Sequence, residues 1–183
     1  MSQLSFLYQF LVNPRVVGAI FPSSRFLSEK MVGEIDFKKA KYIVEYGAGT
    51  GVFTEFLMKK RNPTTFILVV ENNKEFCLLL EEKFKMEKNL LIVNGSAEGI
   101  KEYISEHGIP YVDYVISGLP FASLPYEISS EIIFNTVDIL KKDGKFITFQ
   151  YTKLKKEFIE QFFNKISIRR EYSLNYSYFK VKS

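Results

Sequence analysis

Five short apolar runs alternate with segments of helical periodicity, and that alternation leaves the chain few architectures. Tyr42-Ile43-Val44-Glu45, Phe66-Ile67-Leu68-Val69-Val70, Leu90-Leu91-Ile92-Val93, Tyr111 to Ile116 and Gly144 to Tyr151 read as strands. The second is apolar throughout, as expected of a strand whose sheet is covered on both faces. Between them, Phe53 to Lys60, the set Phe76, Leu79, Leu80 and Phe84, and Ile128 to Leu140 repeat apolar residues at helical spacing. A further helix is expected around Phe158 to Phe163. Ser167 to Lys182 alternates enough to form two strands closing an edge. Strands alternating with helices imply an α/β fold, with a mostly parallel sheet and helices on both faces. The chain has 183 residues, 46% of them hydrophobic, which suits one compact core and leaves little for a second.

Residues 1–40 stand outside this pattern and are expected to form an N-terminal helical cap on a domain spanning 41–183. Leu4 to Val12 reads as a short helix with Leu4, Leu7, Tyr8 and Leu11 on one face and Phe6 and Phe10 in a second stripe. Pro22-Ser23-Ser24 has the composition of a helix start. The only charge from Met1 to Phe21 is Arg15. A signal peptide would place its charge before the apolar run. A spanning helix would need ~20 apolar residues, and Pro14 cuts the stretch short. The expectation is a cytoplasmic protein attached peripherally to a membrane, with Leu4 to Phe21 lying on the lipid surface. Packing of that stretch on the domain's own core or on a second subunit is the alternative.

The formal charge of +4 and the sequence pI of about 9.0 suit an anionic partner without choosing one. Membrane surface, nucleic acid and acidic substrate all fit. Lys153, Lys155 and Lys156 read as a solvated face that could also meet lipid phosphates. The single cysteine, Cys77, excludes an internal disulfide and reads as a small packing residue. The single histidine, His107, precedes a glycine in an expected loop. Zinc or Ser-His-Asp chemistry has almost no material here, and no metal is expected.

The chemistry concentrates in Glu45-Tyr46-Gly47-Ala48-Gly49-Thr50-Gly51, which follows a strand and opens a helix. In that context glycines permit a tight turn and a close approach of ligand to backbone. In an open parallel sheet this turn lies at the carboxyl edge, where ligands bind. Glu71 ends the second strand about 20 residues later, where a carboxylate can accept both hydroxyls of a ribose. The turn is GxGxG rather than GxGxxG, which favours S-adenosylmethionine (SAM) over a dinucleotide.

Glu45 to Gly51 resembles motif I of the class I SAM-dependent methyltransferases, and Glu71 resembles their acid on strand two. The resemblance implies a Rossmann-like methyltransferase fold with a seven-stranded sheet, and SAM as cofactor. Gly95-Ser96-Ala97-Glu98 matches the segment that contacts adenine in those enzymes, commonly Gly-Asp-Ala, with Ser96 in place of the Asp. That substitution weakens the expected bond to the adenine amine or moves it to Glu98. The resemblance thus implies Glu45, Gly47, Ala48, Gly49, Gly51, Glu71, Asn72, Ser96, Ala97 and Ser117 as cofactor-binding residues.

A narrower resemblance covers most of the chain. Asn13-Pro14-Arg15, Gly18-Ala19-Ile20, Pro22 to Leu27, Gly51 to Thr54, and Ser117-Gly118-Leu119-Pro120-Phe121 with Leu124-Pro125 resemble bacterial phospholipid N-methyltransferases. Those enzymes methylate phosphatidylethanolamine and are similar to the rRNA adenine dimethylases. The resemblance implies a phospholipid head group at an anionic membrane surface as substrate, with Gly118, Leu119, Pro120 and Phe121 lining its site. Adenine methylases place an Asn or Asp where Gly118 stands, to accept the hydrogens of a poorly nucleophilic, ring-conjugated amine. An aliphatic amine needs no such acceptor once deprotonated. The gap at Gly118 therefore favours a primary amine over adenine. The rRNA enzymes also carry a helical C-terminal RNA-binding domain, and the expectation from these 183 residues is a chain without one. Phe121 could stack on a flipped base, line a cation pocket or simply pack. Tyr126, Glu127 and Tyr151 are candidates to orient the amine or pass its proton to water. The alternatives are an rRNA adenine or small-molecule methyltransferase of the same fold, and a SAM-binding module without catalysis.

Overall fold

The computed structural model describes residues 22–121, 124–150, 159, 161–171 and 174–181. The expected helix and docking stretch between Leu4 and Phe21 lie outside the described residues, as do Tyr151, Lys153, Lys155 and Lys156.

Helix α1 (Pro22–Val32) leads into β1 (Tyr42–Tyr46), α2 (Val52–Lys60), β2 (Phe66–Glu71), α3 (Lys74–Lys83) and β3 (Leu90–Asn94). A 3-10 turn (Ala97–Gly99) then runs into α4 (Ile100–Glu106), followed by β4 (Val112–Ser117), α5 (Tyr126–Ile139), β5 (Leu140–Gln150), β6 (Phe163–Glu171) and β7 (Leu174–Val181). The strands form one seven-stranded sheet in the order β3-β2-β1-β4-β5-β7-β6. Five of them, β3, β2, β1, β4 and β5, are parallel neighbours, and β7 enters antiparallel between β5 and β6.

The period of two along each strand divides the core into two layers. Val44, Tyr46, Leu68, Val70, Val115 and Phe146 face one side, against the 3-10 turn, α4 and α5. Ile43, Ile67, Val69, Ile116 and Ile147 face the other, against α1, α2 and α3. Burial on both faces accounts for the unbroken apolar run of β2, whose residues from Ile67 to Glu71 are all buried. Leu27, Met31, Val32, Ile35 and Ala40 belong to this second layer. From Pro22 onward, the N-terminal unit expected at 1–40 thus shares its core with the sheet. Among the described residues no helix is long and apolar enough to cross a membrane.

Several boundaries differ from the sequence expectation. Residues 140–143 extend β5 back from the expected Gly144, and α5 stops at Ile139. The register between β4 and β5 shifts there, Val112 pairing with Leu140 but Tyr114 with Lys145. This bulge absorbs the polar Lys-Lys-Asp-Gly stretch between the expected helix and strand. Phe163, expected to end a helix, opens β6, which starts four residues before Ser167. Ile100 to Glu106 forms a helix that the sequence reading left unassigned. His107, expected in a loop, is its C-cap, with Nδ1 2.8 Å from the Tyr103 carbonyl, and Gly108 follows at φ +63.

Candidate active site

Parallel pairing brings the tips of four strands together. Tyr46 lies in register with Val70 and with Ser117, and Glu71 with Asn94. The segments that follow these tips, 47–51, 72–73, 95–98 and 118–121, therefore collect along one carboxyl edge.

The turn at 47–51 is shaped by Gly47, Gly49 and Gly51, at φ +66, +54 and +83. A Cβ on Gly47 would lie 2.8 Å from Leu119 Cδ2, and one on Gly51 2.6 Å from Leu80 Cδ2. These two glycines let β1 and α2 close against β4 and α3. At Gly49 a Cβ would meet nothing within 4 Å. Its open side is where a ligand can approach the backbone.

Glu71 is buried, and both of its carboxylate oxygens accept backbone bonds: Oε2 from the Gly49 N–H at 2.9 Å and Oε1 from the Asn73 N–H at 2.8 Å. Each oxygen keeps a second lone pair, so a diol can still be bound. The Glu71 carbonyl takes the Gly95 N–H, the Asn94 amide and the Cys77 thiol. Asn73 caps α3, accepting from the Glu75 and Phe76 N–H groups. Five donors thus brace the strand-two acid, two at its carboxylate and three at its carbonyl. Asn72 is exposed at the same tip.

Glu45 is fully buried at the end of β1. Thr54 Oγ1 donates to its Oε2 at 2.8 Å, while Oε1 has no hydrogen-bond partner among the described residues. Burial, and secondarily the charge of Glu71, pushes its pKa from 4.5 up to about 8 despite the Thr54 bond. An orphaned buried oxygen of this kind suits a cationic group.

At the third tip, the Ser96 hydroxyl donates to Glu98 Oε2, and the Glu98 carbonyl accepts from Asn135 of α5 at 2.8 Å. The Ser96 position and Glu98 are therefore linked, while Ala97 is buried in the first core layer. At the fourth tip, Ser117 is buried with its Oγ accepting from the Leu119 N–H at 3.1 Å. The Gly118 N–H donates to the Tyr46 carbonyl at 2.8 Å, and a Cβ at 118 would lie 2.7 Å from the Gly47 carbonyl oxygen. Close packing of the β1 and β4 tips thus gives a second reason for glycine at 118. Leu119 and Pro120 are half-buried, whereas Phe121 is fully buried, edge-on to Phe146 at 5.8 Å between centroids. Its ring packs in the core. Tyr126 and Glu127 are exposed on the first turn of α5.

Glu45, Gly47, Gly49, Glu71, Ser96, Gly118 and Leu119 are thus gathered at one edge, and the glycine cradle, the acid at the β2 tip and the orphaned Glu45 oxygen fit SAM. Asn73 and Asn94 are not among the residues the sequence points to, and Thr54 enters there only within the Gly51 to Thr54 resemblance, with no role. Asn73 had a visible signal, an Asx residue just before a helix. Thr54 lies nine residues past Glu45, a separation whose meaning appears only when α2 folds back along β1. Among the described residues no group of His, Cys, Asp or Glu could hold a metal ion.

Fold and site define a class I SAM-dependent methyltransferase. The model of the ribosomal RNA adenine dimethylase family matches residues 2–180, and the chain belongs to that family. It is 31% identical over 141 residues to the ornithine lipid N-methyltransferase of Singulisphaera acidiphila, covering 77% of this chain and 73% of that one. It is 33% identical over 143 residues to the ribosomal RNA small subunit methyltransferase A of Mesomycoplasma hyopneumoniae, covering 74% of this chain but 47% of that enzyme. The chain thus spans about half the length of the rRNA enzyme. Among solved structures, the Thermus thermophilus 16S rRNA N2 G1207 methyltransferase in complex with AdoMet and guanosine aligns with a TM-score of 0.70 at 15% identity, over 88% of this chain and 44% of that one. A Thermotoga maritima SAM-dependent O-methyltransferase aligns at 0.66 and 16%, over 88% and 65%.

Proposed function

We propose that this methyltransferase acts on the primary amine of a lipid head group, of the phosphatidylethanolamine type, at an anionic membrane surface. The observation that carries the reading is Gly118. The position where an adenine methylase holds its side-chain acceptor has no side chain, and the Gly47 carbonyl leaves no room for one. An aromatic amine would lack its acceptor, while an aliphatic amine, its lone pair free, would not need one. The lipid N-methyltransferase among the relatives supports the same choice.

The cofactor supplies a methyl group on a sulfonium, activated for in-line displacement. The chain's own part is positioning. Glu71 would hold the ribose, the 47–49 backbone would receive the amino-acid end, and Ser96 with Glu98 would meet the adenine edge. Gly118, Leu119 and Pro120 form the rim at which the amine enters. The nitrogen must sit ~3–3.5 Å from the methyl carbon, on the line through sulfur. The acceptor would have to reach the site as the free amine, its ammonium proton already passed to water. Tyr126 and Glu127, exposed at the start of α5, are suited to orient the amine for that loss, and Tyr151 is a third candidate.

Family membership favours a second reading, methylation of an adenine in ribosomal RNA. Incubation with methyl-labelled SAM and either total lipid or ribosomal RNA separates the two. Label in the amine-bearing lipid fraction is expected, and label in RNA with unlabelled lipid would sink the lipid reading.

A further inference from the structure

A turn made of glycines has nothing of its own to fix its dihedrals, so its shape must be imposed by neighbours. On the cofactor side, Glu71 does this through the Gly49 N–H. On the opposite side the restraint comes from the end of α3. Lys83 Nζ donates to the Thr50 carbonyl at 3.0 Å and lies 2.6 Å from Glu55 Oε1. Arg25 of α1 holds the other Glu55 oxygen at 2.9 Å. The Thr50 carbonyl lies just outside the ladder of α2, whose first carbonyl, that of Gly51, accepts from the Glu55 N–H. Leu80 and Phe84, on the same end of α3, press against Gly51. A lysine in a last helical turn is favourable for its own helix dipole. That preference does not account for an ammonium turned across to the neighbouring helix and loop. Burial raises the Glu55 carboxyl, but the bonds and charges of Lys83 and then Arg25 outweigh it and hold the group below its usual range.

We propose that Lys83 is a positioning residue for the methyl-transfer reaction, fixing the Thr50 carbonyl and with it the Gly49–Gly51 peptides in the geometry that receives SAM. Glu55 orients Lys83, and Arg25 orients Glu55. Lys83 acts through the Thr50 carbonyl and Glu55, its two polar partners here. Its effect is read as cofactor affinity, and it depends on a cation that can reach two acceptors at once.

The test uses the full chain and its K83M and K83R variants, with SAM affinity from calorimetry and thermal melting of the cofactor-free protein. K83M is expected to weaken SAM binding about 10-fold, the scale of one charge-assisted hydrogen bond. Its melting temperature should stay within about 2 °C of the parent, as for a substitution outside the core. K83R should recover most of the affinity. Unchanged SAM binding in K83M overturns the proposal. So does an equal loss in K83R, or a loss that follows a lowered melting temperature.

Discussion

Glu45 sits among apolar strands with one oxygen bonded to Thr54 and the other bonded to nothing, so its charge is costly. Its folded pKa, about 8, exceeds the ordinary 4.5, so the folded state holds the proton more tightly than the unfolded one. Below the lower value both states are protonated and no cost arises. Between the two, stability falls as pH rises, and above the upper value the loss levels off. E45Q keeps the Thr54 bond and cannot ionise. Its melting temperature should therefore gain on the wild type as pH rises from 5 to 8, and parallel curves would refute the assignment. Glu71 differs because the Gly49 and Asn73 N–H groups already serve its oxygens. E71A should weaken SAM binding by ~1–3 kcal/mol, as calorimetry can read, through loss of charged hydrogen bonds. Glu71 was legible from its place at the end of an apolar run. The state of Glu45 was not, since burial and an orphaned oxygen are properties of the folded neighbourhood.

At the scale of elements, the apolar runs exposed β1, β2 and β4 because each is buried on both faces, and periodicity exposed α2, α3 and α5 because each presents a stripe to the sheet. It failed where another constraint governs. Ile100 to Glu106 does carry a stripe, Ile100, Tyr103 and Ile104, packed on the first core layer, but its seven residues fall short of the window over which helical spacing registers. The start of β5 is polar because it forms a bulge beside Asp113. That residue shows how elements are tied at their far ends, away from the site. Asp113 of β4 is buried, and its Oδ2 accepts from the Lys41 and Tyr42 N–H groups at 2.8 and 2.9 Å. Its Oδ1 pairs with Lys141 of β5, whose ammonium is held above its usual pKa, chiefly by that bond. One carboxylate thus aligns the beginnings of β1, β4 and β5. D113A should lower stability by ~3 kcal/mol, the scale for removing one partner of a buried charged network. Denaturant titration measures it. A change below ~1 kcal/mol, the worth of an exposed pair, would mean that the network contributes little.

For the whole molecule, the N-terminal stretch and the sheet edge matter most. If Leu4 to Phe21 docks on lipid, full-length protein should sediment with anionic vesicles at low salt, and deletion of residues 1–21 should abolish it. The basic residues that follow would each add ~1 kcal/mol near such a surface. Sedimentation that survives the deletion would place the docking elsewhere. On the other side of the sheet, β7 enters between β5 and β6 although it follows both in sequence. The ribosome must therefore release residues 174–181 before β5 gains its outer neighbour. Until then Lys145 to Gln150, destined to pair with Lys180 to Asn175, offers a bare row of backbone donors and acceptors. Folding during synthesis can complete the cofactor half of the sheet, but that edge stays open to any other strand nearby until residues 174–181 emerge.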